Sequence, residues 1–147
     1  MSHTYHKIWI HLIWSTKERE KMIYPELKKK LIYHIKENGK ENEIYIDSIN
    51  GIEDHIHLLI GLNPTQALSK VVNQIKGESS HWINDNKLVK GHFFWQEGYA
   101  AFSLGESQVK RARKYIYNQE KHHKKIGFME ELSKFLKAYG LSSMVTP

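Results

Sequence analysis

EIYIDSINGIEDHIHLLIG, residues 43–61, is the stretch whose reading decides the fold. Glu43–Ser48 and residues 54–60 are both rich in β-branched and apolar side chains. A turn through Asn50–Gly51 is all that parts them, so two antiparallel neighbouring strands are expected. Alternation along the second strand puts His55 and His57 on one face and Ile56, Leu58 and Ile60 on the other. One face of the sheet is thereby apolar, and the other carries two imidazoles able to share a metal ion.

Working outward from this hairpin, the N-terminal side offers a strand over Tyr5–Trp14 and a charged connection over Ser15–Met22. A helix then opens at Pro25, with Leu27, Leu31 and Ile35 as its apolar stripe, and is expected to stop at Gly39. On the C-terminal side Asn63 can cap, Pro64 takes the first helical position, and Gln66 completes a capping box. Leu68, Val71, Val72, Ile75 and Trp82 supply the stripe of this second helix, and Gly77-Glu78-Ser79-Ser80 weakens its later turns. HFFWQEGYAAFSL, residues 92–104, reads as a fourth strand with an irregularity near Gly98.

The order strand-helix-strand-strand-helix-strand is the ferredoxin-like α+β arrangement, an antiparallel sheet with both helices on one face. The histidine face needs a cover of its own. A helix over 108–125, with Val109, Ala112 and Ile116 at helical spacing, and a final helix near 129–139 stopped by Gly140 are available for it. The expected organisation is one domain over 1–147, with a core at about 4–104. The tail SSMVTP has little to hold it.

The chain has 147 residues, is 40% hydrophobic and holds four Trp and eight Tyr, which excludes a disordered class. Cysteine is absent, so disulfides, thiolate metal sites and a Cys nucleophile are excluded. No apolar run approaches the ~18–20 residues of a membrane span, and a soluble cytoplasmic protein is expected. The net charge of +6 points to polyanionic partners, and seven Lys/Arg against one Glu lie between Lys110 and Lys125.

Tyr115 and Gln119 stand four apart on the basic helix and share a face. His55, His57 and the Gln119 amide oxygen would make a mixed metal site with positions left open for phosphate oxygens. The Tyr115 hydroxyl is the nearest nucleophile, and its attack on phosphorus would leave a phosphotyrosine. Tyr117 projects about 200° away on a helix and cannot face the same ion. His122 would contact phosphate, support the metal ligands or sit in solvent, and His11 on the first strand is a candidate neighbour of the pair. Asp54 is expected to point away from both histidines. Lys17, Arg19, Lys110, Arg111, Arg113 and Lys114 are candidate phosphate contacts, with ordinary surface charge as the alternative. Trp95 and Tyr99 could stack on bases, Trp95 equally belonging to the core or a subunit interface. Each feature alone has a plain packing explanation; only their convergence on one sheet face makes a site.

The sequence resembles the small single-tyrosine, IS200-like transposases of bacterial and archaeal insertion sequences, within the HUH endonuclease group. His55-Ile56-His57 matches the group's His-hydrophobic-His motif, and Tyr115-Ile116-Tyr117-Asn118-Gln119, followed by Glu120 and His122-His123, matches the downstream signature. His11–Lys17, Gln74–Gly77, Phe94–Tyr99 and Phe102–Leu104 also match, in order. The resemblance implies an enzyme that cuts and rejoins single-stranded DNA at hairpin-bearing element ends. Tyr115 would form a 5′-phosphotyrosine link, and His55, His57 and Gln119 would bind Mg²⁺ or Mn²⁺. It further implies a homodimer, in which the tyrosine helix can serve the partner's histidine pair. Two alternatives share the fold: an HUH nuclease that processes replication or repeat hairpins without transposing, and a catalytically inactive hairpin-binding protein.

Overall fold

The structure, a computed structural model, describes residues 3–141, so Met1, Ser2 and the tail SSMVTP lie outside the described residues. The elements are β1 (Trp9–Ser15), α1 (Pro25–Glu41), β2 (Tyr45–Ile52), β3 (His55–Gly61), α2 (Leu68–Asp85), β4 (Ala100–Leu104), α3 (Val109–Tyr117), α4 (Gln119–His122) and α5 (Phe128–Ala138). The sheet runs β2-β3-β1-β4 with every neighbouring pair antiparallel, which is the expected α+β ferredoxin-like arrangement.

Period-two alternation in β3 organises both faces. Ile56, Leu58 and Ile60 join Leu12 and Trp14 of β1 beneath Leu27, Leu31 and Ile35 of α1 and Val71, Val72, Ile75 and Ile83 of α2. Burying a side chain such as Leu58 contributes about 1.5–3 kcal/mol. The opposite face has two smaller apolar clusters instead. Trp9 and Leu59 pack on Val109 and Ile116 of α3. Ile13 and Phe102 pack on Phe128, Leu132 and Phe135 of α5. Between these clusters runs the polar strip that forms the site.

The hairpin turns later than its sequence indicates. Asn50 and Gly51 remain in β2, opposite His57 and Ile56, and the chain reverses at Glu53–Asp54. Gly51 fits there because a Cβ would stand 2.3 Å from the His55 carbonyl oxygen. Gly39 likewise does not stop α1, which continues to Glu41. It extends the Leu27-Leu31-Ile35 stripe where a Cβ would meet Ile46 Cδ1 at 2.9 Å, so its missing side chain lets β2 approach.

Other boundaries shift for local hydrogen-bonding reasons. Asn63 does not cap a helix; its Oδ1 accepts from the Thr65 N–H (2.9 Å) and hydroxyl (2.7 Å), closing a turn, and α2 begins only at Leu68. The Gly77–Ser80 patch leaves α2 unbroken. Ser79 is buried, donates to the Ile75 carbonyl at 2.6 Å and accepts from Trp95 Nε1 at 2.9 Å. That bond and an edge-on contact with Trp14 at 6.0 Å fix Trp95 in the core and remove it from base stacking. The predicted strand over 92–104 is regular only from Ala100, with an isolated Thr16–Trp95 bridge before it.

The helix expected over 108–125 breaks at Asn118. Asn50 Nδ2 lies across the break and donates to the carbonyls of Ile116 (3.1 Å) and Tyr117 (3.2 Å), satisfying acceptors that a continuing helix would have paired. A register irregularity between Ile46 and Ser48 leaves Asp47 as a bulge residue facing α3. Its carboxylate takes two 2.8 Å bonds from Arg113, which anchors α3 to the edge strand. Among the described residues, no helix is long and apolar enough to cross a membrane.

Candidate active site

The site is built on β3. His55 and His57 are both fully buried on the face away from α1 and α2, with ring centroids 5.2 Å apart. His11 arrives from β1, its Nε2 lying 2.8 Å from His57 Nδ1. The α3 helix brings Tyr115, half-buried, with its ring centroid 5.8 Å from that of His57. Gln119 is fully buried just past the break, and His122 stacks on Tyr115 at 4.3 Å. Tyr117 is 52% exposed, as its helical direction requires. An apolar pocket lined by His11, Leu104, Gln108, Arg111, Ala112, Tyr115 and Phe135 opens beside the tyrosine ring.

The centre of the cluster is Glu131 of α5. Its Oε1 lies 3.1 Å from His55 Nε2, 2.9 Å from His57 Nε2 and 3.0 Å from His123 Nε2. Its Oε2 accepts from the Tyr115 hydroxyl and, at 3.3 Å, from Gln119 Nε2. Amphipathicity delivers it there: Phe128, Leu132 and Phe135 dock α5 on the sheet, and Glu131 shares their face. Sequence reasoning misses both Glu131 and His123. The available signal is a glutamate at a core position, three residues after one phenylalanine and four before another.

Burial and charge act against each other here. Desolvation, with the neighbouring imidazole, keeps His11 down at about 3, and desolvation brings His57 down to about 4. His55 is also penalised by burial, but bonds to Asp54 and Glu131 outweigh this and raise it above the usual 6.5. Burial would raise Glu131, yet bonds from His123, His55 and His57 hold it far below the ordinary carboxylate range. Burial, then the carboxylate beside it, pushes the Tyr115 phenol well above 10.

The donor set fits a divalent cation. His55 Nδ1–H donates to Asp54 Oδ1 at 2.7 Å, and His123 Nδ1–H donates to the Ile126 carbonyl at 2.8 Å. With Nδ1 occupied in this way, each ring in its neutral form turns the Nε2 lone pair inward, as in histidine-ligated metal sites. Asp54, expected to point away, therefore orients His55 without entering the ligand set. His55, His57, His123 and Glu131 each offer a ligand atom, all within 4.8 Å of one another. Gln119 Oε1 is buried with no hydrogen-bond partner, an acceptor that a cation would satisfy.

The outlying candidates are scattered. Lys17 sits 5.0 Å over the Phe94 ring; Arg19, Lys110, Arg111 and Lys114 are exposed, and Tyr99 is 37% exposed. Arg113 is committed to Asp47.

A four-stranded antiparallel sheet presenting paired histidines to a tyrosine-bearing helix defines an α+β protein with a candidate metal and nucleophile site, and sequence comparison narrows it. The family profile described as "Transposase IS200 like" matches residues 4–119, so the chain belongs to the IS200-like transposase family. It is similar to the ISDra2 transposase TnpA of Deinococcus radiodurans, 25% identical over 114 residues that cover 74% of this chain and 81% of the relative. The transposase for insertion sequence element IS200 of Salmonella typhimurium is 24% identical, covering 81% of each. Among solved structures, a putative transposase from Deinococcus radiodurans superposes with a TM-score of 0.65 at 24% identity, covering 81% of this chain and 95% of the other. A REP-associated tyrosine transposase bound to a REP hairpin superposes with a TM-score of 0.61 at 15% identity, covering 84% and 74%.

Proposed function

We propose that this transposase cuts and rejoins single-stranded DNA at hairpin-bearing element ends through a 5′-phosphotyrosine at Tyr115. The observation that carries the reading is the placement of the Tyr115 hydroxyl on the same carboxylate that gathers His55 Nε2 and His57 Nε2. Nucleophile and metal-ligand pair are thus held together.

His55, His57 and Gln119 would hold Mg²⁺ or Mn²⁺, which when bound polarises phosphate oxygens and lowers the barrier to attack at phosphorus. The remaining chemistry belongs to the chain. The Tyr115 oxygen bonds to phosphorus as the bond from phosphorus to the 3′ oxygen breaks, and the phenol proton passes by exchange with water to that oxygen, which leaves as a 3′-hydroxyl. Rejoining is the reverse displacement by a 3′-hydroxyl on the tyrosyl link, so no nucleotide hydrolysis is needed. His11 sets the His57 ring, His122 stacks on the nucleophile, and Asp54 orients His55. The exposed Lys110, Arg111 and Lys114 would meet the DNA backbone, with Lys17, Arg19 and Tyr99 as further contacts.

We place the whole of 1–147 in one functional unit in the cytoplasm, working as a homodimer. Contact between Tyr115 and the histidine pair of its own chain favours cleavage in cis. The hairpin held by the REP-associated relative supports hairpin DNA as the ligand. The deciding experiment incubates the protein with single-stranded oligonucleotides carrying flanked element ends and Mg²⁺ or Mn²⁺, followed by denaturing gels. A metal-dependent protein–DNA adduct with joined product is expected. Joined product separates transposition from simple processing. Hairpin binding without any adduct would replace the reading with that of a binding protein.

A further inference from the structure

We infer that Glu131 is a working member of the site, a ligand of the divalent ion through one oxygen and the positioning acceptor of Tyr115 through the other. This rests on the reading above and extends it to a residue of α5, together with His123 as a third imidazole ligand.

Three observations converge. First, Nε2 atoms of His55, His57 and His123 lie within 3.1 Å of one carboxylate oxygen. Two of these rings already spend Nδ1–H on fixed acceptors, Asp54 and the Ile126 carbonyl, so only a proton or a metal ion can join their inward nitrogens to Glu131. In the neutral rings these nitrogens carry lone pairs, and a divalent ion would take the place of the protons between them and the carboxylate. Second, Glu131 is 1% exposed on the apolar side of its helix, flanked by Phe128 and Phe135. A carboxylate there is costly unless it binds charge, and an apolar residue would serve packing better. Third, the two carboxylate oxygens divide the partners, with Oε1 on the imidazoles and Oε2 on Tyr115 and Gln119. Such a bridge fixes the distance between ion and nucleophile, which is what an in-line displacement requires. A charged oxygen also binds a hard cation better than the neutral amide of Gln119.

The test titrates Mn²⁺ into the full-length protein and follows free ion by its paramagnetic resonance, with circular dichroism verifying the fold. Wild type, His57→Ala, Glu131→Gln and Glu131→Asp are compared. Loss of the site in His57→Ala and a weakening of about tenfold or more in Glu131→Gln are expected. Glu131→Asp, which keeps the charge on a shorter arm, should fall between and serves if the glutamine variant fails to fold. With saturating Mn²⁺, Glu131→Gln should still lower the rate of adduct formation without changing the oligonucleotide concentration for half-maximal rate. If His57→Ala loses the ion while both Glu131 variants bind it as tightly as wild type, or tighter, the inference is overturned, because the carboxylate then only competes for the ion's place. Unchanged binding in His57→Ala would overturn the metal reading itself along with it.

Discussion

One sheet carries two unlike faces. Beneath α1 and α2 the contacts are apolar and continuous, and Leu58 is fully buried among them. Beneath α3, α4 and α5 the apolar contacts shrink to two small clusters, and the space between them is given to His11, His55, His57, Gln119 and Glu131, all buried. Neighbouring residues of β3 therefore do opposite work. Leu58 and Ile56 hold the sheet to its helices; His57 and His55, buried among Phe128, Phe135 and Tyr115, carry the candidate ligand atoms. The larger apolar cluster thus lies on the face away from the histidines.

The sharpest break between the faces is chemical. Tyr115→Phe should abolish the covalent adduct completely while leaving hairpin binding and the melting temperature close to wild type, since the ring contacts with His57 and His122 persist. An adduct in that variant, lost instead in Tyr117→Phe, would move the nucleophile to the exposed tyrosine. Next in size is the packing face: Leu58→Ala should cost about 2–5 kcal/mol in urea unfolding. His57→Ala, one residue away, should cost clearly less stability yet remove metal-dependent cleavage. Equal stability losses would erase the distinction between the faces.

Acid offers a milder probe. Because His57 is depressed to about 4 and His11 to about 3, the unfolded chain binds more protons than the native one from about pH 6.5 downward. Their contribution is thus present above pH 6.5 and is lost as pH falls towards 4 and 3. His55, raised by its partners, works in the other direction near neutrality. Stability measured by urea unfolding should decline through this window, and a His11→Gln/His57→Gln protein should show a shallower decline. The smallest effect belongs to the rim. A double-mutant cycle on Asp47 and Arg113 should give a weak coupling that fades with added salt, and Arg113→Ala should alter DNA affinity less than Lys110→Ala.

Much of this was legible along the chain because it depends on local periodicity. The alternation in residues 54–60 assigns the two faces of β3, and the helix-strand order gives the sheet topology. The histidine pair, Tyr115 and Gln119 can be named from spacing and resemblance. What escaped depends on contacts distant in sequence. Trp95 reads equally as a base-stacking, core or interface aromatic until Ser79, sixteen residues earlier, binds its indole N–H. Asn118 looks helical until the side chain of Asn50 takes over the carbonyls at the break. Glu131 looks like an ordinary helical charge until the sheet places three imidazoles around it. His123 is visible in the sequence, but its ligand geometry is fixed by the Ile126 carbonyl beyond it.

The break at Asn118 also divides the site between two parts of the chain. The family profile ends at residue 119, almost at that break, while His123, Phe128, Glu131 and Phe135 all lie beyond it. A protein cut there would keep the motif histidines, the tyrosine and the glutamine, yet lose the roof over them and leave the imidazoles open to water. The residues before the break carry the motif side chains, and the helix beyond it supplies both their cover and the carboxylate at their centre.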